Sequence, residues 1–104
     1  MLNDITTATG IPFRETQWVG KPPAETYGIL LDDITADGAD DKNFTYTHDT
    51  TLELYEPKPD PKAEKSLEDW LNARGLKWTK QSRYWITEAQ RYQVVYDFSY
   101  TEKI

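Results

Sequence analysis

The segment from residue 43 to residue 56 constrains the fold more than any other part of this chain. Apolar and polar side chains alternate along it with the period of two that is typical of a half-buried β-strand. Threonine and aromatic residues, which favour strands, make up much of the segment. One face carries six side chains, namely Phe44, Tyr46, His48, Thr50, Leu52 and Leu54. The pattern predicts a long strand that buries this face.

A proline-rich turn after this strand leads into a predicted helix from about residue 61 to residue 75. Asp60 is a suitable N-cap, and Pro61 takes the first helical position, where a missing N–H loses no hydrogen bond. Gly75 can adopt the left-handed backbone that ends many helices. Spacings of three and four residues place four apolar side chains on one stripe, namely Ala63, Leu67, Trp70 and Leu71. This stripe predicts a helix that packs on the sheet.

The remaining sequence predicts shorter elements around this pair. They are a short helix within residues 1–10 and strands over residues 11–19, 27–31, 76–86 and 92–100. The strand over 76–86 is expected to bend at residues 80–82. Neighbouring strands with few helices favour an α+β fold, a single domain over residues 1–104. We expect a mostly antiparallel sheet of four to five strands, with the main helix and the short N-terminal helix packed on it.

Five aspartates between residues 32 and 42 predict a solvated loop that joins two antiparallel strands. They are Asp32, Asp33, Asp37, Asp40 and Asp41. A calcium loop is the alternative, because Asp33, Asp37 and Gly38 match positions 1, 5 and 6 of an EF-hand. Position 12 of that motif requires a bidentate Glu, and Phe44 stands there. The sequence therefore favours a loop that holds no metal ion.

Residues with catalytic chemistry are few. The chain has no cysteine and a single histidine, His48, which the alternation places on the apolar face of the long strand. A hydrogen-bonded histidine is favoured there over a general base. The three serines lie in no nucleophile motif, and no glycine-rich phosphate loop is present. We therefore expect no catalytic activity, no bound metal ion and no cofactor.

Aromatic residues are plentiful for a chain of this length, with four Trp, seven Tyr and three Phe. Trp and Tyr are enriched at protein–protein hot spots. Residues 77–85 interleave aromatic and basic side chains, a pattern that also suits nucleic-acid binding. The net charge of −6 disfavours contact with phosphate backbones. We therefore favour a protein interface, and the candidate residues are Trp18, Tyr55, Tyr84 and Trp85.

Five stretches together resemble a family of small phage and prophage proteins of Gram-positive bacteria. These stretches are residues 9–13, 22–28, 43–55, 60–75 and 92–96, which are distributed over nearly the whole chain. The family consists of tail-completion, or tail terminator-like, proteins. The resemblance is one of pattern and carries no catalytic motif.

The resemblance implies structural work by self-association. Tail terminators cap the finished tail tube as a ring, commonly of six subunits, and present a face to the head connector. Partners would then be further copies of the chain, the tail tube and connector proteins, with no membrane and no specific nucleic acid. The protein would be found in the bacterial cytoplasm during assembly, and in the virion tail if the prophage is functional. The aspartate loop would lie at the lumen or the rim.

Two alternatives stay open at this point. One is a different component of the head–tail joint. The other is a stand-alone bacterial module that binds a peptide or a small ligand, for which a pocket of roughly 300–1,000 Å³ with convergent polar groups is expected.

Overall fold

Three long antiparallel strands form the centre of the fold in the computed structural model, which describes residues 2–37 and 45–103. They belong to a six-stranded sheet with the order β1-β2-β3-β6-β4, and β5 also pairs with β6. The strands are β1 (Phe13–Glu15), β2 (Tyr27–Asp37), β3 (Thr45–Glu56), β4 (Trp78–Lys80), β5 (Tyr84–Ile86) and β6 (Arg91–Lys103). The helices are α1 (Leu2–Thr9) and α2 (Pro61–Ala73). In the described residues no helix has the length and apolar character needed to cross a membrane.

The α+β prediction is confirmed. All strand pairs are antiparallel except β1 with β2, which is parallel. The strand expected over residues 76–86 is divided, because the chain leaves the edge of β6 between Lys80 and Tyr84. Its two parts are β4 and β5, so the sheet has six strands where four to five were expected.

The main helix forms as its sequence predicts. The side chain of Asp60 accepts a hydrogen bond from the backbone N–H of Ala63 at 3.1 Å, and Pro61 begins the helix. Gly75, just after the helix, has the positive φ of 68° that favours glycine. The stripe of α2 contributes Leu67, Trp70 and Leu71 to the core.

The core lies between the two helices and one face of the sheet. Its buried members are Ile5, Ile11, Phe13, Leu30, Leu52, Leu54, Leu67, Trp70, Leu71, Val94, Tyr96 and Phe98. Even-numbered positions of β3 from His48 to Glu56 are buried, as the alternation predicts. The sheet therefore has a helix-covered face and, over the described residues, a second face without helices, which we name the helix-free face.

The first strand is much shorter than the predicted 11–19. Thr16 adopts a φ of 71°, a left-handed conformation that interrupts an extended chain, and β1 ends at Glu15. Trp18 consequently lies outside any strand. Within β1, Phe13 packs so closely on β2 that a Cβ at Gly28 would lie 2.2 Å from its Cε1 atom. Only glycine fits at that position.

One end of the sheet extends past its short neighbours. β1 pairs with β2 only as far as Leu30, and β4 pairs with β6 only as far as Phe98. Beyond these points residues 33–37, 45–49 and 99–103 pair only with one another among the described residues. We name these three segments the arm. It contributes to an elongated molecule of 49 × 28 × 25 Å.

Candidate interaction surfaces

A row of aromatic side chains crosses the helix-free face of the sheet. The rings of Trp18 and Tyr27 lie 5.1 Å apart, and those of Tyr27 and Tyr55 are stacked at 5.2 Å. The amide of Gln93 donates a hydrogen bond to the hydroxyl of Tyr55 at 2.9 Å. The backbone of Tyr84 pairs with Gln93, which places Tyr84 on the same face. We name these five residues the aromatic row.

The structure thus brings together three of the four residues predicted for an interface, Trp18, Tyr55 and Tyr84. Tyr27, which sequence reasoning left in an apolar run, links the first two. Tyr84 is 54% exposed, whereas Tyr27 is buried. Burial raises the pKa of Tyr55 to about 12, and its hydrogen bond to Glu53 acts in the same direction. Its hydroxyl therefore stays neutral and donates its proton to the carboxylate of Glu53.

Trp85 is not part of this row. It pairs with Tyr92 and by strand parity points to the opposite side of the sheet, where its ring contacts that of Tyr92 edge-on at 5.0 Å. It is 44% exposed. The two adjacent aromatic residues Tyr84 and Trp85 therefore belong to different surfaces.

The predicted aspartate loop is wrong for Asp32, Asp33 and Asp37. These residues belong to β2, which pairs with β3 as far as the Asp37–Thr45 register. The long amphipathic β3 supplies backbone partners, and Asp32 accepts hydrogen bonds from the side chains of Thr50 and His48. Low strand propensity is outweighed by this pairing. Asp40 and Asp41 lie outside the described residues.

On the arm, the helix-free face is entirely polar. Asp33 and Asp49 are directly opposite in the register, and the hydroxyl of Ser99 donates to Asp49 at 2.5 Å. The threonines at 35, 47 and 101 continue the face. A shallow depression of about 370 Å³ beside it is lined partly by Asp33, Asp49 and Asp97. This end of the sheet presents negative charge and hydroxyl groups.

The opposite face of the arm holds the single histidine between two carboxylates. Nδ1 of His48 lies 2.8 Å from Oδ2 of Asp32, and Nε2 lies 3.0 Å from Oε1 of Glu102. These hydrogen bonds, to Asp32 first and then to Glu102, raise the pKa of His48 against the opposing effect of burial. The prediction of a hydrogen-bonded histidine is confirmed. The arrangement ties β2, β3 and β6 together through side chains.

Sequence reasoning missed a buried ionic cluster between β3, α2 and the β4–β5 connection. Arg83 donates to Glu56 and to Glu64, and Lys80 lies 2.8 Å from Glu64 and 2.7 Å from Glu68. Glu64 is buried although it lies outside the apolar stripe of α2. The strand alternation that places Leu52 and Leu54 on the core face also places Glu56 there. This alternation was the sequence feature from which a buried glutamate could have been predicted.

The two buried glutamates of this cluster, Glu56 and Glu64, have pKa values shifted in opposite directions. Burial, reinforced by the neighbouring carboxylate of Glu64, raises the pKa of Glu56 to about 8. Oε2 of Glu56 is buried without a hydrogen-bond partner, which suits a carboxyl that keeps its proton. Burial also opposes ionisation of Glu64, but the side chains of Glu56, Lys80 and Arg83 outweigh it and lower the pKa. Glu64 is the ionised member of the pair.

The cluster also bears on the nucleic-acid interpretation of residues 77–85. Two of the basic side chains of that segment, Lys80 and Arg83, are paired with glutamates. Cations that are already neutralised by neighbouring carboxylates attract phosphate weakly. The segment acts as a link between the sheet edge and α2.

A groove of about 590 Å³ lies between the α1–β1 connection, residues 23–26 and the beginning of α2. Lys62, Ser66 and Glu25 contribute polar groups to its wall. Thr26 and Asp60 also line it, but they bind each other through a hydrogen bond of 2.6 Å. Among the described residues no group of three or more His, Asp or Glu side chains could hold a metal ion.

The fold is similar to that of one chain in a solved virion structure. No model of a known protein family and no curated protein sequence matches the chain. Among solved structures, a chain from the "Virion of native gene transfer agent (GTA) particle" superposes with a TM-score of 0.62 at 14% identity. The similarity covers 96% of this chain and 84% of that chain. At this identity it establishes a shared fold.

Proposed function

We propose that this protein is a non-enzymatic structural component of a phage or phage-like particle, and that it completes the tail as a ring of identical subunits. The observation that carries the proposal is the similarity in fold, over 96% of the chain, to a chain of a gene transfer agent virion. The resemblance in sequence pattern to tail terminator-like proteins supports the same class and supplies the finer role. The partners are further copies of the chain, the tail tube and the head connector.

The surfaces of the molecule support a role in assembly. A ring requires two unlike contact surfaces on each subunit, because each copy contacts its neighbours in a head-to-tail manner. The aromatic row and the arm lie at different places along the sheet and differ in chemistry. The half-exposed aromatic residues of the row suit a protein contact. The polar, acidic face of the arm suits a lumen, where negative charge repels passing DNA.

The test is made in the host that carries the gene. Deletion of the gene should leave unjoined heads together with tail tubes of irregular length in negative-stain electron microscopy. Complementation with the wild-type chain should restore complete particles, and the chain should then be detected in purified particles by mass spectrometry. Complete particles in normal number from the deletion strain would exclude this role. Unjoined heads with tails of uniform length would favour a different component of the head–tail joint.

A ligand-binding module is the second candidate, and the groove of about 590 Å³ favours it. Its volume falls in the range of small-molecule sites. The test is a thermal-shift screen with peptides and metabolites against wild type and Ser66→Trp, a substitution that fills the groove. A ligand that stabilises wild type but not the variant would move the assignment to this class.

A further inference from the structure

The arm has two backbone edges that no described strand covers. On β2 the edge comprises the arm and the two residues before it, from Leu31 to Asp37, past the last residue that pairs with β1. On β6 it runs from Ser99 to Lys103, past the last residue that pairs with β4. Such edges carry unpaired N–H and C=O groups, which form a template for pairing with another chain.

These edges carry few of the residues that most often prevent pairing, although Asp32, Asp33, Asp37 and Glu102 are charged. Neither segment contains proline, and the only lysine is Lys103, at the end of β6. Thr35 and Thr101 are exposed on the helix-free face. Ile34, on the other face of the β2 edge, is 55% exposed although it is a large apolar residue. An isoleucine on an uncovered edge gains burial when a further strand is added.

The direction of the strands decides which partner fits. β2 and β6 are both antiparallel to β3, so they run parallel to each other. A rotation about an axis along the strands therefore brings β6 of one copy beside β2 of the next, in a parallel pair. The same contact repeats from copy to copy and closes a ring without edges. It also places Tyr100 of one copy on the same side of the sheet as Ile34 of the next.

We propose that copies of this chain assemble by edge pairing between β6 residues 99–103 of one copy and β2 residues 31–37 of the next, so that the arms form one closed barrel. The helices occupy one face of the sheet and must lie outside such a barrel. The helix-free face then lines the lumen with Asp33, Asp49 and the threonines of the arm. This inference rests on the proposed function and specifies the contact that makes the ring.

The dimensions agree with a channel. Six copies with three strands each give about eighteen strands, and barrels of roughly this strand number enclose an aqueous channel. At about 4.8 Å per strand the perimeter is about 86 Å, a backbone diameter of about 27 Å before strand tilt widens it. The proposed lumen is lined by side chains whose negative charge repels DNA.

Disulfide cross-linking tests the contact directly, because the chain has no cysteine of its own. Thr35 and Thr101 both pair with Thr47, on its two sides. Within one chain they are separated by two strand spacings, about 10 Å, which exceeds the roughly 7 Å limit for a disulfide. A bond between position 35 and position 101 must therefore join two copies.

The experiment mixes purified Thr35→Cys with Thr101→Cys under mild oxidation, and repeats the reaction in particles from strains that carry both substitutions in one chain. Asp33→Cys with Thr101→Cys samples the neighbouring register. The matched control pairs Thr35→Cys with Ser82→Cys, an exposed position in the β4–β5 connection. Thermal melting of each variant verifies that it is folded.

The proposal predicts cross-linked dimers from the mixed pair, at least tenfold above the control, and a ladder of covalent oligomers from the double variant. Either single variant alone should form no covalent dimer, because the contact brings position 35 of one copy beside position 101 of the next, and a single variant has a cysteine at only one of these positions. Self-cross-linking of Thr35→Cys equal to that of the mixed pair would overturn the proposal, and so would control-level cross-linking in both settings. If the chain is found in particles without this cross-link, the structural role stands and the edge contact fails. If the cross-link forms but particles lack the chain, the edge contact stands and the tail role fails.

Discussion

The imidazole of His48 stacks on the phenol ring of Tyr100, with ring centroids 4.4 Å apart and an angle of 2° between the planes. The contact joins β3 to β6 on the arm, and the same imidazole binds carboxylates on either side of it. The arm thus has a side-chain lock on one face and an all-polar surface on the other. These contacts tie β2, β3 and β6 to one another along the arm.

The histidine lock should make stability depend on pH. The folded pKa of His48 is raised above the usual value of about 6.5, because Asp32 and Glu102 favour the charged imidazole. Its contribution is therefore full below about pH 6.5 and is lost as pH rises through the folded pKa. We expect His48→Gln to cost about 1 kcal/mol or less at pH 5.5, since Glu102 is half exposed, and less at pH 9. Thermal melts of both proteins across this range measure the difference, which must shrink as pH rises.

Glu64→Gln and Glu56→Gln should differ although both residues are buried. Removing the ionised Glu64 leaves Lys80 and Arg83 without their main buried partner, and we expect a loss of about 2–4 kcal/mol in urea unfolding at pH 6.5. Glu56 holds a proton at this pH, so Gln is close to isosteric and should cost less than about 1 kcal/mol.

Glu56 should also contribute a second pH dependence. The folded protein binds a proton on Glu56 that the unfolded chain has released above about pH 4.5, so stability falls as pH rises toward the folded pKa of about 8. Glu56→Gln removes this slope, and the urea midpoint of the variant should change less between pH 6 and pH 9 than that of wild type. An unchanged slope would assign the proton to another group.

Gly28→Ala should destabilise the fold by about 1–3 kcal/mol or more. The added methyl group meets the ring of Phe13, with the nearest atom at 2.2 Å, and β1 must move to accommodate it. The matched background is Phe13→Ala, which removes the ring. Adding Gly28→Ala there should cost much less, and additive losses would contradict the contact.

Tyr84→Ala and Trp85→Ala test which face of the sheet contacts other proteins of the particle. Both residues are exposed, at 54% and 44%, so each substitution should change stability by about 0.5 kcal/mol or less. We expect Tyr84→Ala to reduce incorporation of the chain into particles several-fold, because Tyr84 ends the aromatic row. Trp85→Ala should leave incorporation near wild type. The reverse result would assign the contact to the helix-covered side.

Local patterns predicted the helices and the long strands, but not the exact extent of each strand. The residues that cap α2, Asp60 and Gly75, form hydrogen bonds with residues only a few positions away. The alternation of apolar and polar residues in β3 indicates which of its faces is buried. β2 is longer than its composition indicates. Its aspartates lie in a strand because β3, elsewhere in the chain, supplies a complete row of backbone partners.

The sequence predicted which types of residue form the candidate interaction surface, but not which of those residues lie next to one another. Trp18, Tyr55 and Tyr84 were chosen for their chemistry. Tyr55 and Tyr84 are aligned by the register of β2, β3, β6 and β5, and Trp18 joins them through its contact with Tyr27. Trp85 separates from Tyr84 because adjacent strand residues point to opposite faces.

Periodicity, capping and glycine placement act over a few residues, so the order of the elements and the face that each buries can be derived from the chain alone. Partnerships between distant positions cannot, because they depend on strand order and register. Glu102 reaches His48 across 54 positions, and Arg83 reaches Glu56 across 27. Folding brings these groups within hydrogen-bond distance, and the raised pKa of His48 follows from that proximity.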